Sequence, residues 1–171
     1  MKLIITFPTA IKLLMANIVM EEQPFNILKN PTISFKKTHP DAQLPFRKRT
    51  NDTGYDLSSI EDVIVPSKGS ANIPTGITVA KVPFGVWFLI LPRSGMGFKH
   101  GIQPHLGVID NPYRGDLAVK LYNFSDQDYK VSKGDRVAQI AYFPLLALDP
   151  IWSDEVESTD RGSTGFGDSG K

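Results

Sequence analysis

An all-β sandwich or barrel is the fold class this sequence predicts. Short β-branched and aromatic runs recur along the chain, and 13 prolines and 14 glycines break them at close intervals. The length of 171 residues suits one domain with a sizeable core. Composition also excludes several partners. A formal charge of +1 offers no basic stripe for a nucleic-acid polymer. The absence of cysteine rules out disulfides and thiolate metal sites. His100 and His105 fit no zinc spacing and are expected in loops.

Residues 1–23 are expected to be a dispensable extension. Lys2 followed by Leu3–Phe7 resembles the start of a signal peptide, but Pro8, Lys12 and Asn17 interrupt the run and no small-residue cleavage pattern closes it. The interruptions leave it too short and too polar to span a membrane. Met15 and Met20 are alternative starts.

The barrel is expected over 24–153. Thr32–Lys37 alternates as a strand, and Gln43–Arg49 is an extended piece leading into a basic patch. In Asn51–Ser59, Gly54 permits a tight backbone and Asp56 projects a carboxylate beside Tyr55; standing alone, this stretch is an Asx-type turn. Val63–Pro66 and Ala71–Val82 read as paired strands. Val86–Leu91 is apolar throughout, which predicts a strand buried on both faces. It runs into Pro92-Arg93-Ser94-Gly95-Met96-Gly97, where backbone N–H groups, a hydroxyl and a guanidinium together suit phosphate oxygens. A capped short helix with a surface arginine is the plainer reading of the same residues.

Leu106–Phe124 is the stretch around which the chain is organised. It predicts a β-hairpin: an apolar run carries Asp110 into an Asn111-Pro112 turn, Tyr113 follows, and Gly115 opens a strand with Leu117, Val119 and Leu121 on one face. Ser125–Lys133 is expected as a polar connection. Val137–Phe143 is a strand, and Gln139 among its apolar neighbours implies a fixed hydrogen-bond partner. Residues 154–171 are expected to form a flexible arm, because Asp160–Lys171 is rich in Gly and Ser. Gly165–Gly170 matches G-x-G-x-x-G, but no strand precedes it and no helix can follow, so the dinucleotide reading fails.

Taken in order, TGYDLSS, PRSGMG, GVIDNPYRG, GDRVAQI and RGSTGFGDSG resemble the five motifs of the homotrimeric dUTPase family. The likeness covers about residues 25–171, and its strength lies in the order and spacing rather than in any one motif. Thr53, Pro112, Thr164 and Asp168 depart from the family's usual residues, and Pro112 leaves Asp110 as the only acid in the turn.

The resemblance implies a jelly-roll-like β-barrel, a homotrimer whose sites draw on all three chains, and a cytoplasmic enzyme that binds neither nucleic acid nor membrane. The implied reaction is hydrolysis of dUTP to dUMP and pyrophosphate with Mg²⁺ on the phosphates, which keeps uracil out of DNA and supplies dUMP for thymidylate synthesis. On this basis Asp110 is the general base. Arg93, Ser94, Gly95, Gln139, Arg161 and Gly162 serve the phosphate chain. Backbone at Gly107, Val108, Ile109, Asp110 and Ala118 reads uracil, Tyr113 packs under the deoxyribose, and Phe166 stacks over the base when the arm closes. Asp56 acts on the metal only through water. Two rivals are a dCTP deaminase, disfavoured because Lys120 stands where that family's catalytic glutamate would, and a regulatory trimer that holds nucleotide without turnover.

Overall fold

The structure is a computed structural model that describes residues 31–165. The expected extension over 1–23 and the arm residue Phe166 lie outside the described residues. The strands are β1 (Ser34–Lys37), β2 (Tyr55–Ser58), β3 (Val63–Val65), β4 (Ser70–Lys81), β5 (Val86–Leu91), β6 (Ile102–Pro104), β7 (Gly107–Ile109), β8 (Asp116–Asn123), β9 (Tyr129–Val131) and β10 (Arg136–Pro144). One short helix, α1 (Ser94–His100), lies between β5 and β6. The all-β class expected from sequence is therefore what the chain adopts. Two four-stranded antiparallel sheets, ordered β1-β4-β8-β6 and β2-β10-β5-β7, enclose the core, and β3-β9 forms a separate ribbon.

Alternation explains most of this. Along β8 the inward positions Leu117, Val119 and Leu121 are at most 2% exposed, while Asp116, Ala118 and Lys120 face outward. Val137, Ala138 and Ile140 on β10 and Phe88 and Ile90 on β5 close the core from the other sheet. Burying each of the Val, Leu, Ile and Phe side chains among these contributes roughly 1.5–3 kcal/mol. Among the described residues, no helix is long and apolar enough to cross a membrane.

Four local expectations are corrected. Val63–Pro66 and Ala71–Val82 do not pair with each other: β3 pairs with β9, whereas β4 lies between β1 and β8. The polar connection after β8 contains β9, because the Tyr-Lys-Val alternation buries Val131. β5 is not buried on both faces; Phe88 and Ile90 point inward and their neighbours are half-buried. Finally, Leu106–Phe124 is not a ladder throughout, since β7 pairs with β5 in one sheet and β8 with β4 and β6 in the other.

Pro74 sits inside β4 at a register shift between Pro74 and Ile77. Proline has no N–H for a ladder, so the strand bulges there. Gly76 takes a φ of 66°, and the buried Thr75 hydroxyl donates to the Leu117 carbonyl in place of the lost rung.

The loop after β8 hangs on Asn123, which is 1% exposed. Its Nδ2 donates to the carbonyls of Val65 at 3.0 Å and Gln127 at 2.8 Å, and its Oδ1 accepts from the Ser125 backbone N–H at 2.9 Å. Truncation strands a buried carbonyl and releases the loop. We therefore expect Asn123→Ala to lower unfolding free energy by about 2–3 kcal/mol, read as a shift of the chemical-denaturation midpoint at constant slope.

Candidate functional site

The expected site residues fall into three groups. The first gathers at the end of β5. Antiparallel pairing of β10 with β2 and with β5 sets Gln139 opposite both Asp56 and Leu91. The chain leaves β5 through Pro92 and enters α1, whose N-cap is Arg93 with extended backbone.

Asp56 organises this corner. Its side chain is 17% exposed; Oδ1 accepts from Arg93 Nε at 2.9 Å and Oδ2 from Arg136 Nη1 at 3.1 Å. Arg93 Nη1 also donates to the Arg136 carbonyl at 2.6 Å. Two guanidinium groups thus share one carboxylate. Arg93 was expected here, held for phosphate; Arg136 was missed. Its signal was present in the GDRVAQI motif, but only the register of β10 against β2 puts it on Asp56.

Gln139 Nε2 donates to the Pro92 carbonyl at 2.8 Å, which is the fixed partner its apolar surroundings implied. The residue expected on the phosphates therefore first braces the turn that presents Arg93. Gly54 allows this, because a Cβ there would lie 1.8 Å from Gln139 Oε1. Ser94 and Gly95 are exposed at the start of α1. The Met96 and Gly97 N–H groups return to the Arg93 carbonyl, leaving the first two amides of the helix outside its own ladder. A Cβ at Gly95 would meet nothing within 4 Å, so its backbone stands open to a ligand. Beside this corner a cleft of about 190 Å³ is lined by Arg93, Arg136, Asp135, Met96 and Tyr129. Burial, with the Asp135 charge, holds the Tyr129 phenol above its usual pKa.

The second group is the seam between β7 and β8. These arms are joined at one end, where the His105 N–H donates to the Lys120 carbonyl at 2.7 Å, and at the other by the turn in which the Tyr113 N–H donates to the Asp110 carbonyl at 3.0 Å. Between those points β7 turns to β5 and no ladder joins it to β8. The Lys120 carbonyl faces this seam, so the two-residue alternation of a strand aims the N–H and carbonyl of Ala118 the same way. Ala118 lies opposite Pro74, which has no N–H to offer. Val108 is 60% exposed at the seam.

Asp110 is exposed, and its carboxylate has no hydrogen bond or ion pair among the described residues. The Tyr113 hydroxyl donates to the Asp116 carbonyl at 2.9 Å, and the ring lies so close to Gly115 that a Cβ there would come within 2.5 Å of its oxygen. Tyr113 is 40% exposed.

The third group is Arg161 and Gly162, exposed in a turn beyond β10 where Arg161 Nη2 donates to the Gly165 carbonyl at 2.6 Å. Within the described residues, no cluster of three or more His, Asp or Glu side chains forms a metal cage.

The first two groups do not meet within one chain. Ile109 pairs with Phe88, so Asp110 stands level with Trp87 at the start of β5, whereas Arg93 follows its end. Six residues of strand separate them, roughly 20 Å.

A family model described as dUTPase matches residues 40–170. The chain is 44% identical over 135 residues to the deoxyuridine 5'-triphosphate nucleotidohydrolase of Paramecium bursaria Chlorella virus 1, covering 79% of this chain and 95% of the relative. Among solved structures, the Staphylococcus bacteriophage 80alpha dUTPase with dUPNHPP is similar at a TM-score of 0.75 and 28% identity, over 82% of this chain and 99% of that one. A mutant dUTPase from phage phi11 of S. aureus, described for its coordination of a structural Mg(II) ion, is similar at a TM-score of 0.68 and 25% identity, over 74% and 99%.

Filling the space at residue 54 is expected to push the Gln139 amide off the Pro92 carbonyl. Gly54→Ala should weaken binding of a triphosphate ligand about tenfold while melting stays within a few degrees of the parent. Titration calorimetry beside a thermal scan measures both.

Proposed function

This chain belongs to the dUTPase family, and from that premise we propose that it is a dUTP diphosphatase, hydrolysing dUTP to dUMP and pyrophosphate by attack of water on the α-phosphorus. The observation that carries the reading is the seam: two unpaired strand edges closed at both ends, with an unpartnered carboxylate at one of them. A pyrimidine edge alternates donors and acceptors and can complete what the missing ladder leaves unsatisfied. Cytosine reverses two of those positions relative to uracil and would leave backbone groups unpaired.

In this mechanism Asp110 takes the proton of the attacking water, and its exposed, unpaired carboxylate leaves it free to do so. Tyr113 lies under the deoxyribose, where its ring leaves no space for a 2′-hydroxyl. Arg93, with Ser94 and Gly95, holds the phosphate oxygens; Arg136 and Asp56 keep the Arg93 fork aimed outward. Gln139 braces this turn, and Arg161, Gly162 and Phe166 of the arm complete the site. With no metal cage among the described residues, magnesium suits this site when phosphate oxygens and waters supply most of its ligands, which is its usual preference. When bound with substrate it neutralises phosphate charge. Both Asp56 oxygens already accept from arginine, so an effect of Asp56 on that ion runs through water.

The roughly 20 Å between Asp110 and Arg93 supports a homotrimer whose sites are shared, because a triphosphate cannot span that gap while water is activated at its α-phosphorus. The cytoplasmic location implied by the resemblance belongs to the same reading. Deamination is disfavoured on chemistry: Lys120, at the seam's closed end, places an ammonium 5.5 Å from the Tyr122 ring centre rather than a carboxylate.

Pyrophosphate release should be fast with dUTP and slow with dCTP, dTTP and UTP; comparable rates for all four would defeat the reading. Asp110→Asn should keep nucleotide affinity and lose turnover by a factor on the order of 10² or more. Near-parental turnover in that variant would remove Asp110 as the base.

Site sharing has its own test. Asp110→Ala chains and chains ending after Thr159 should each be nearly inactive alone. Co-expressed, they should regain activity wherever an intact Asp110 from one chain meets an intact arm from another. A verified mixed assembly that stays inactive would overturn the shared site.

A further inference from the structure

Asn111 belongs to none of the three groups of expected site residues, yet its side chain ties the Asp110 turn to the barrel at two points. The residue is half-buried, and its Nδ2 donates to the carbonyls of Pro83 at 2.7 Å and Val86 at 2.8 Å. Both neighbours are acceptors, so the amide nitrogen rather than the oxygen must face them. Pro83 and Val86 bracket the tight β4–β5 connection, which is closed by the Val86 N–H donating to Pro83 at 3.3 Å and held to the end of β10 by the Leu145 N–H donating to Gly85 at 2.7 Å.

The remaining bonds of the turn are local or lie on its far side. Tyr113 N–H returns to Asp110, and Arg114 Nη1 donates to the carbonyls of Asn111 at 2.6 Å and Tyr113 at 2.7 Å. The Thr78 hydroxyl reaches the carbonyls of Arg114 and Gly115, both at 2.7 Å, and so secures the β8 arm. On the β7 arm the ladder to β5 ends at Ile109, one residue before the carboxylate. The next side chain to hold that arm is Asn111.

We propose that Asn111 is a positioning residue for Asp110. By anchoring to two carbonyls of the β4–β5 connection, its amide fixes the adjacent carboxylate at the mouth of the seam. This rests on the reading of Asp110 as the base in dUTP hydrolysis. The sequence shows Asn111-Pro112 only as a turn signal; the anchoring role comes from the fold, which brings Pro83 and Val86 alongside.

The test uses full-length Asn111→Ala and Asn111→Asp. Alanine removes both donors, and aspartate sets an acceptor-only group against two carbonyls. We expect kcat for dUTP to fall on the order of tenfold or more with alanine and further with aspartate, the scale expected when a reacting group is displaced by a fraction of an ångström to an ångström. KM and the affinity for dUPNHPP should stay within about threefold, because nothing that touches the nucleotide has been removed. Amide hydrogen exchange at Tyr113 should speed up in both variants.

A kcat within about twofold of the parent overturns the proposal, and so does a rise in KM with kcat unchanged. If the alanine chain fails to fold, Asn111→Ser, which is too short to reach either carbonyl, carries the same measurements. If the parent does not hydrolyse dUTP, the functional reading fails by itself. Unchanged Tyr113 exchange in the variants then overturns the anchoring role independently.

Discussion

The hydrogen bond from His105 to Lys120 is the rung on which the seam depends. Up to that point the chain behaves as a hairpin, with β6 paired to β8. One residue later the backbone leaves for the free edge of β5, where Gly107, Val108 and Ile109 find partners. Two sheets compete for one strand, and the second wins from Gly107 onward. Backbone groups in the fork stay unpaired in the ladder sense, which is tolerable only because the fork opens to water. On the proposed reading, a planar ligand with matching donors and acceptors replaces that water without asking the strands to move. Selectivity on that reading follows from the cost of a mismatched edge rather than from any dedicated side chain.

The basic corner works by a different principle. Arg93, Arg136 and Asp56 form a partly exposed cluster, and each ion pair there contributes on the order of 1 kcal/mol or less to stability. Its value is directional. Arg93 commits Nε to Asp56 and one Nη1 hydrogen to the Arg136 carbonyl, so the planar fork is held in one orientation. The Asp56 carboxylate keeps the two like charges from splaying apart.

Much of this was legible in the sequence. The strands β8 and β10, the Asp110 turn, the Pro92–Gly97 segment and the partnered Gln139 all follow from alternation, turn chemistry and motif order. Pairing partners were not, because a strand's own pattern says which face is buried but not which edge is shared. Val63–Pro66 looks like a neighbour of Ala71–Val82, yet β4 spends both edges on β1 and β8. Arg136 and Asn111 escaped for the same reason. Each acts through a residue distant in sequence: Asp56 lies 80 positions from Arg136, and Pro83 lies 28 from Asn111.

The length of β5 has a consequence for how such a protein behaves as a population of molecules. A strand of six residues sets Asp110 and Arg93 at opposite ends of β5 within one chain. On the proposed reading, in which sites are completed only between copies, catalytic capacity belongs to the assembly and folded content does not measure it. Dilution that separates the chains would silence the enzyme while leaving every barrel intact. An inactive copy incorporated into an assembly would likewise damage sites beyond its own share, so a minority of defective chains removes a disproportionate part of the activity.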